Sequence, residues 1–559
     1  MASSGGAQVA GRIGDRLIDR GVLTEEQLGV ALREQKRFHR PLGEILLSLG
    51  FVSESDIAAL VAQDLGIELL EPQDIQPDPL VVSQVDAAFV RETMAFPYRI
   101  EDGVLHVVMA NPDDSVARAV LRERFSQPIV AAIMTSADIH ALIHSHLSTT
   151  TTLVANLLAS LDGVSPDAFP IEEIVEAVIA DGIHRGATDI HIEPEERVTR
   201  VRYRVDGILQ GGENLPTSIT SPIISRIKVL SHLDIAERRR PQDGRMRMHL
   251  DDRRFDMRVS LMPSNNGENV VLRVLDGSSG VPNLARLGIS DTHQKVLRNV
   301  ISRSHGLFLV TGPTGSGKTT TLYSLLAEID AVHRKVATVE DPIEYQLPLL
   351  RQTQVDPSIG FDFGSGLRSL LRQDPDVILV GEIRDAETAD MAIKAAMTGH
   401  LVFSTLHTNS AIGAFPRLVD MGIEPFLLED AVIGTMSQRL LRRICTTCKQ
   451  EAPPSEKELA WLGGEVGMLQ RGAGCERCEG RGFRGRISAV EMFLPEPELL
   501  ADLRNGVALD AVEAKAAAGG FRSLEEDGKR LVRAGITTMD EVLRVSRGIR
   551  LTRDERESI

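Results

Sequence analysis

A chain of 559 residues is too long for one hydrophobic core, so several domains are expected. Its formal net charge of -17 argues against nucleic acid as a main partner, and no apolar run approaches the roughly 20 residues that span a bilayer. The opening "MASSGGAQVAGRIGDRLIDR" lacks the basic-then-apolar layout of a secretory leader, so the protein is expected to stay in the cytoplasm.

In chain order, residues 1–70 carry an internal repeat. "IGDRLIDRGVLTEEQL" from Ile13 and "LGEILLSLGFVSESDI" from Leu42 align Gly14 with Gly43, Gly21 with Gly50, Thr24 with Ser53 and Gln27 with Asp56. In each copy an apolar helix ends at a glycine and a Thr or Ser caps the next, with Gln27 completing a capping box in the first. Residues 71–147 turn to short β-like runs such as "HVVMA" and "PIVAAIM" and predict a small α/β domain, and 148–170, containing "STTTTL", reads as a linker. From 171 to 280 an amphipathic helix, "IEEIVEAVIADGIHRG", leads into alternating runs such as "VTRVRYRVDGIL" and "RFDMRVSLMP", the pattern of an antiparallel sheet. Residues 281–500 alternate strands with helices, which predicts a mostly parallel sheet covered on both faces, and 501–559 reads as C-terminal helices. The chain is therefore α/β.

The apolar run Gly306–Val310 is followed by "GPTGSGKT", which satisfies GxxxxGK[ST] with Gly312, Gly317, Lys318 and Thr319. Such a loop, Gly312, Pro313, Thr314, Gly315, Ser316, Gly317, Lys318, Thr319 and Thr320, turns backbone N–H groups around phosphate oxygens. Lys318 meets the outer phosphates and the Thr319 hydroxyl ligates Mg²⁺. Hydrolysis needs a carboxylate at a neighbouring strand end. "DPDVILVGEIRD" offers Glu382 after a buried run, as the group that activates or orients water, and "VATVEDPIEY" offers Glu340, Asp341 and Glu344, for which a solvated capped loop is the alternative. "GHLVFSTLHTN" adds His400 and His407, the latter placed to sense the γ-phosphate or to be merely structural. All four cysteines fall in two CxxC pairs, Cys445 with Cys448 and Cys475 with Cys478, within a segment of about 440–482. That spacing suits a tetrahedral zinc site, a redox pair being the alternative.

The order phosphate loop, "EDPIEY", "LRQDPDVILVGEIRD", "GHLVFSTLHTN", "QRLLRRIC", with "ATDIHIEP", "RYRVDG", "LDIAERRRPQDGR" and "GENVVLRVLD" upstream, resembles the secretion ATPase superfamily of type II secretion and type IV pilus machines, from roughly Ile171 to Met492. The resemblance implies a RecA-like P-loop motor domain with the four-cysteine insert, a preceding PAS-like α/β half-domain, and a helical N-terminal domain. It also implies a homo-hexamer that hydrolyses ATP between the two halves, with arginines of the first half reaching the phosphates. Arg204, Arg226 and Arg245 sit in the matching segments, with surface ion pairs to acids such as Asp206 or Asp243 as the alternative. The four-cysteine insert resembles the export and extension branch. "TNSAIGAFPRLVDMGIEPFLLEDAVIG" looks more like the type II secretion (GspE) type than the pilus-extension type, although Pro416, Glu429 and Asp430 depart from the pattern.

By the same resemblance the N-terminal domain docks on the cytoplasmic part of a GspL-like inner-membrane protein and the motor drives a GspF-like platform, which attaches the protein peripherally to the inner membrane. The repeat also resembles a cyclic di-GMP motif. The first copy fits, with Arg12, Gly14, Leu17, Ile18, Gly21, Leu28, Leu32 and Gln35; the second has Pro41 where an arginine belongs and Asp64 in the glutamine's place. Plain hydrophobic helix packing is the alternative there. A DNA-translocating motor is a further reading, opposed by the acidic charge and by one Trp and four Tyr in the whole chain.

Overall fold

The computed structural model describes residues 6–38, 40–72, 74–75, 77–146, 153–160, 169–250, 253–276, 283–464 and 466–546 and divides into two units, Met1–Thr152 and Leu153–Ile559.

The first unit opens with the two helix hairpins of the repeat, Gly6–Asp19 with Glu25–Phe38 and Leu42–Ser48 with Glu54–Leu65. Gly21 and Gly50 end the first helix of each pair at φ 70 and 68. Thr24 and Gln27 exchange backbone bonds of 2.8 and 3.2 Å, and Ser53 and Asp56 form the same reciprocal cap at 2.8 and 3.1 Å, a second capping box that the aspartate supplies in place of glutamine. The α/β part holds β1 (Ala95–Glu101), β2 (Val104–Met109) and β3 (Ile129–Ile133) in that spatial order. β1 and β2 are antiparallel; β2 and β3 are parallel, joined by the helix Ser115–Phe125.

In the second unit the segment read as a linker carries a helix, Leu153–Ser160. The buried Asp181 carboxylate accepts the Leu153 and Val154 N–H groups at 2.9 and 3.2 Å and so caps that helix from the following one, Ile171–His184. Seven strands come next: β4 (Ala187–Pro194), β5 (Val198–Val205), β6 (Ile208–Gly211), β7 (Leu215–Pro216), β8 (Gln242–Leu250), β9 (Arg253–Ser264) and β10 (Gly267–Asp276). They pair antiparallel in the order β6-β5-β4-β10-β9-β8, with β7 beside β5. Period-2 alternation sends Ile190, Tyr203, Val259 and Leu272 to one face, where they pack with Val178, Ile223 and Ile227 of the helices Ile171–His184 and Thr220–Leu230. Polar residues are left on the other face.

The motor sheet has β11 (Gly306–Thr311), β12 (Val336–Glu340), β13 (Arg351–Gln354), β14 (Val377–Val380), β15 (Leu401–Leu406) and β16 (Val432–Ile444), with β19 (Phe483–Phe493) closing the edge. The order is β13-β12-β14-β15-β11-β16-β19, parallel except for β19. β11, β14 and β15 are buried along their whole length, which explains their unbroken apolar sequence. Between the long β16 and β19 lies the cysteine segment, with the hairpin β17 (Lys449–Ala452) and β18 (Leu469–Gly472).

Candidate active site

β11 delivers the chain to residues 312–317, and the helix Lys318–Ala327 starts straight after them. Its N-cap is Gly317, at φ 89, with no side-chain cap, so the first N–H groups and the positive helix end face the loop uncovered. Gly312 admits no side chain: a Cβ there would lie 2.6 Å from Ser316 Oγ and 2.7 Å from the Gln438 carbonyl oxygen, at φ +142. Pro313, Thr314, Gly315 and Thr319 are exposed and Thr320 is half-buried, while Ser316 Oγ is buried with no hydrogen-bond partner among the described residues. An orphan hydroxyl beside uncapped amides fits phosphate oxygens. Thr319, exposed at the helix start, is the hydroxyl that fits Mg²⁺.

Lys318 Nζ meanwhile donates to the Gly312 and Pro313 carbonyls at 2.8 and 3.1 Å. Burial pushes its pKa down to about 8; Glu382 pulls it up and Arg439 pushes it down further. A phosphate partner raises it again, so nucleotide binding takes up a proton wherever the free ammonium has been lost, that is, above pH about 8. ATP affinity is therefore expected to hold from pH 6.5 to 8 and then fall towards tenfold per pH unit, with proton uptake visible as buffer-dependent heats in calorimetry. Constant affinity from pH 7 to 9.5 refutes this.

Glu382 follows β14 at its C-terminal end and is largely buried. Its carboxylate lies 2.5 Å from Arg384 and 3.5 Å from His407 Nε2, and Thr405 Oγ1 donates to the neighbouring Gly381 carbonyl at 2.8 Å. The "EDPIEY" acids separate. Glu340 is buried and receives hydrogen bonds from Tyr323, Thr338 and Gln352; burial raises its pKa despite them, which marks it as a packing group. Glu344 is half-exposed and accepts from Arg258 at 3.0 Å. His400 Nδ1 lies 2.9 Å from the Ala395 carbonyl at the other end of β15.

The arginines differ from the sequence expectation. The registers place Arg204 opposite Asp189, Asp189 opposite Arg273, Arg273 opposite Arg258, and Arg258 opposite Arg245. One cross-strand row of four guanidiniums and one carboxylate thus crosses β5, β4, β10, β9 and β8 on the face away from the helices. Arg204 and Arg245 belong to it: Arg204 lies 3.9 Å from Asp189, and Arg245 is exposed without an ion pair among the described residues. Arg226 does not. It sits on the helix Thr220–Leu230, behind the sheet, and pairs with Glu172 at 2.9 Å, because the helix turns that face towards its neighbour. Arg258 and Arg273 were missed, and Arg258 is the one that touches the motor half. Its pKa is lowered by burial, with Glu344 opposing and Arg273 and Arg245 adding to the effect. The signal was present in "RFDMRVS", where alternation puts Arg258 on the polar face.

Gln438 and Arg439 on β16 were also missed as individual residues. Gln438 Oε1 accepts from Thr321 at 2.8 Å, and the buried Arg439 donates to the Gln438 and Asn409 carbonyls at 3.0 and 3.2 Å, a polar buttress against the phosphate loop.

The four cysteines converge. The Sγ atoms all lie within 4.8 Å of one another, with Cys445–Cys475 at 3.9, Cys448–Cys478 at 3.8 and Cys475–Cys478 at 3.7 Å. A tetrahedron with Zn–S of about 2.3 Å has edges of about 3.8 Å, so the set fits zinc, while the separations are far too long for a disulfide. Backbone N–H groups of Gly474, Cys475 and Gly482 donate to Cys448 and Cys478 sulfurs at 3.2–3.3 Å, the arrangement that stabilises thiolates.

The phosphate loop at the head of the helix after β11, in a parallel sheet with Glu382 at a strand end, is that of an ATP hydrolase of RecA-like α/β fold. The chain belongs to the type II/IV secretion system protein family, whose model matches residues 165–544; an MshEN domain model matches 65–153. It is 47% identical over 384 residues to type II secretion system protein E of Pseudomonas aeruginosa, covering 68% of this chain and 76% of that one. It is 37% identical over 558 residues to type II secretion system protein E of Xanthomonas campestris, covering 96% and 98%. To the type IV pilus assembly ATPase PilB of Thermus thermophilus it is 38% identical over 528 residues, covering 91% of this chain and 59% of that one.

Proposed function

We propose that this ATPase is the cytoplasmic motor of a type II secretion system, working as a homo-hexamer that drives pseudopilus assembly. The observation that carries the motor reading is the Arg258–Glu344 contact, which brings the arginine face of one half onto the acidic edge of the other. Lys318 and the loop amides hold the triphosphate, Thr319 holds Mg²⁺, which neutralises phosphate charge when bound, and Glu382 orients and deprotonates the attacking water. Glu344 releases Arg258 to the γ-phosphate on closure, and His407 senses that phosphate through Glu382. The end-to-end likeness to the Xanthomonas secretion protein favours secretion over pilus extension. Replacing the chromosomal copy by Lys318→Ala is expected to stop release of secreted enzymes and leave type IV pili intact; lost pili with normal secretion would reverse the assignment.

Among the described residues no helix is long and apolar enough to cross a membrane. Attachment to the inner membrane is accordingly assigned to partners, a GspL-like protein at the N-terminal unit and a GspF-like platform, with no role for nucleic acid. For cyclic di-GMP the first copy of the repeat has the motif residues, and the charge around it is adverse. The cavity along the first copy is lined by the motif residues Ile18, Leu28 and Leu32 but also by Asp15, Asp19 and Glu25, Asp64 of the second is paired with Arg16, and the side chain of Arg12 lies outside the described residues. Carboxylates there repel a phosphodiester. Titrating the full chain with cyclic di-GMP is expected to give no heat at high micromolar ligand, and a saturable isotherm would assign the repeat as its site.

A further inference from the structure

The arginine-bearing sheet meets the motor half in a second place, at the end away from Glu344. β5 and β6 are joined by Asp206-Gly207, both at positive φ (50 and 81), a two-residue hairpin turn of the kind that matches strand twist. The turn does not end in solvent. Asp206 is largely buried; Oδ2 accepts the Gly485 N–H at 2.9 Å and Oδ1 lies 3.7 Å from Arg486 Nε. On β6, the Gln210 amide donates to Glu479 at 3.2 Å and accepts from Arg481 at 2.5 Å, and Arg185 lies 4.0 Å from Glu479. Every partner on the motor side belongs to residues 479–486. That stretch leaves Cys478, whose sulfur accepts the Gly482 N–H at 3.2 Å, and from Phe483 on is the start of β19. The start of this stretch is therefore shaped by the cysteine clip and its β19 end is held by Asp206.

Two contacts are needed to fix the sheet against the motor half, because one contact is only a pivot. The Arg258–Glu344 contact lies at the reaction edge and must open when the guanidinium turns to phosphate. The Asp206 contact lies two residues from Arg204, at the far end of a row about 19 Å long, by strand spacing. We propose that Asp206 is a positioning residue for ATP hydrolysis: its carboxylate fastens the β5–β6 hairpin to the first residues of β19, directly after the metal clip, so that the four-cysteine module sets where the arginine row stands over the phosphate loop. This rests on the reading of the row given above.

The test uses the full-length zinc-loaded protein with Asp206→Gly, which keeps the turn and removes the carboxylate, and Asp206→Asn, which keeps an acceptor. Since small misplacements near the chemistry cost up to about 100-fold, Asp206→Gly is expected to lower kcat roughly tenfold, with KM for ATP within about twofold and Asp206→Asn restoring most of the loss. Bound zinc, released by an organomercurial that captures the cysteine sulfurs and read with a chromogenic chelator, stays at the wild-type ratio, and the Gly485 amide exchanges faster in Asp206→Gly. Unchanged kcat in Asp206→Gly overturns the proposal, as does loss of zinc together with kcat, which would make the residue merely structural. Arg258→Ala separates the two readings. Lost turnover there with full turnover in Asp206→Gly removes the clamp alone; full turnover in both removes the arginine-row reading as well.

Discussion

Glu382→Gln is expected to lower kcat about 10³-fold while ATP binding stays within a few-fold of wild type, from the 10²–10⁴ range of general-base contributions. The substitution keeps the side chain's size and one oxygen acceptor, so the environment of Arg384 at 2.5 Å and His407 at 3.5 Å is disturbed little, but the negative charge and the proton-accepting oxygen are lost. Two of the "EDPIEY" acids are engaged elsewhere. Glu340 is excluded by burial and by its hydrogen bonds to Tyr323, Thr338 and Gln352, which leave it nothing to offer a water in the cleft. Glu344 is accessible but engaged by Arg258. Single-turnover phosphate release, measured beside the affinity for a non-hydrolysable ATP analogue, checks the assignment: retained turnover in Glu382→Gln would move the base to Glu344. A secondary effect follows from the same charge. Glu382 holds the Lys318 pKa up, so the variant loses ATP affinity at a lower pH than wild type.

What the sequence revealed depended on whether the chemistry is contiguous in the chain. The phosphate loop and each CxxC pair are contiguous in the chain, and the structure brings the two cysteine pairs together although 30 residues separate their partners. The arginine contact is not local. Arg258 and Glu344 are 86 residues apart, and which arginines share a row is fixed by strand registers that no single segment encodes. Arg226 lies in a segment that resembles the family pattern, yet nothing in its spacing says that its side chain turns to Glu172. The helix Leu153–Ser160 escaped for a similar reason: its cap is Asp181, 28 residues downstream, while the threonine run before it reads as a tether. Gln438 and Arg439 open the run "QRLLRRIC", but that run names no partner for them, and their contacts with the phosphate loop appear once β16 is seen to lie beside β11.

Arg258→Ala is expected to cost about 10³-fold in kcat, the lower end of the range for arginines that stabilise phosphoryl-transfer charge, which corresponds to about 4 kcal/mol of barrier. The partly buried guanidinium is paired with Glu344 and pressed by Arg273 and Arg245, both of which disfavour its charge. An arginine held against like charges gains when a triphosphate enters, because the phosphate oxygens add negative charge where the row lacks it. The fork matters as well as the charge. Arg258→Lys is expected to recover less than a tenth of the lost rate, since a lysine offers a point charge where planar bidentate donation is needed. Arg226→Ala is the control from the helix layer and should turn over as wild type, its partner Glu172 being exposed and the pair worth at most about 1 kcal/mol of stability. Steady-state hydrolysis by the three variants decides it. Normal turnover in Arg258→Ala, with loss in Arg226→Ala, would mean that the helices and not the strands of the first half supply the charge, and that the Arg258–Glu344 contact is a resting pair with no part in catalysis.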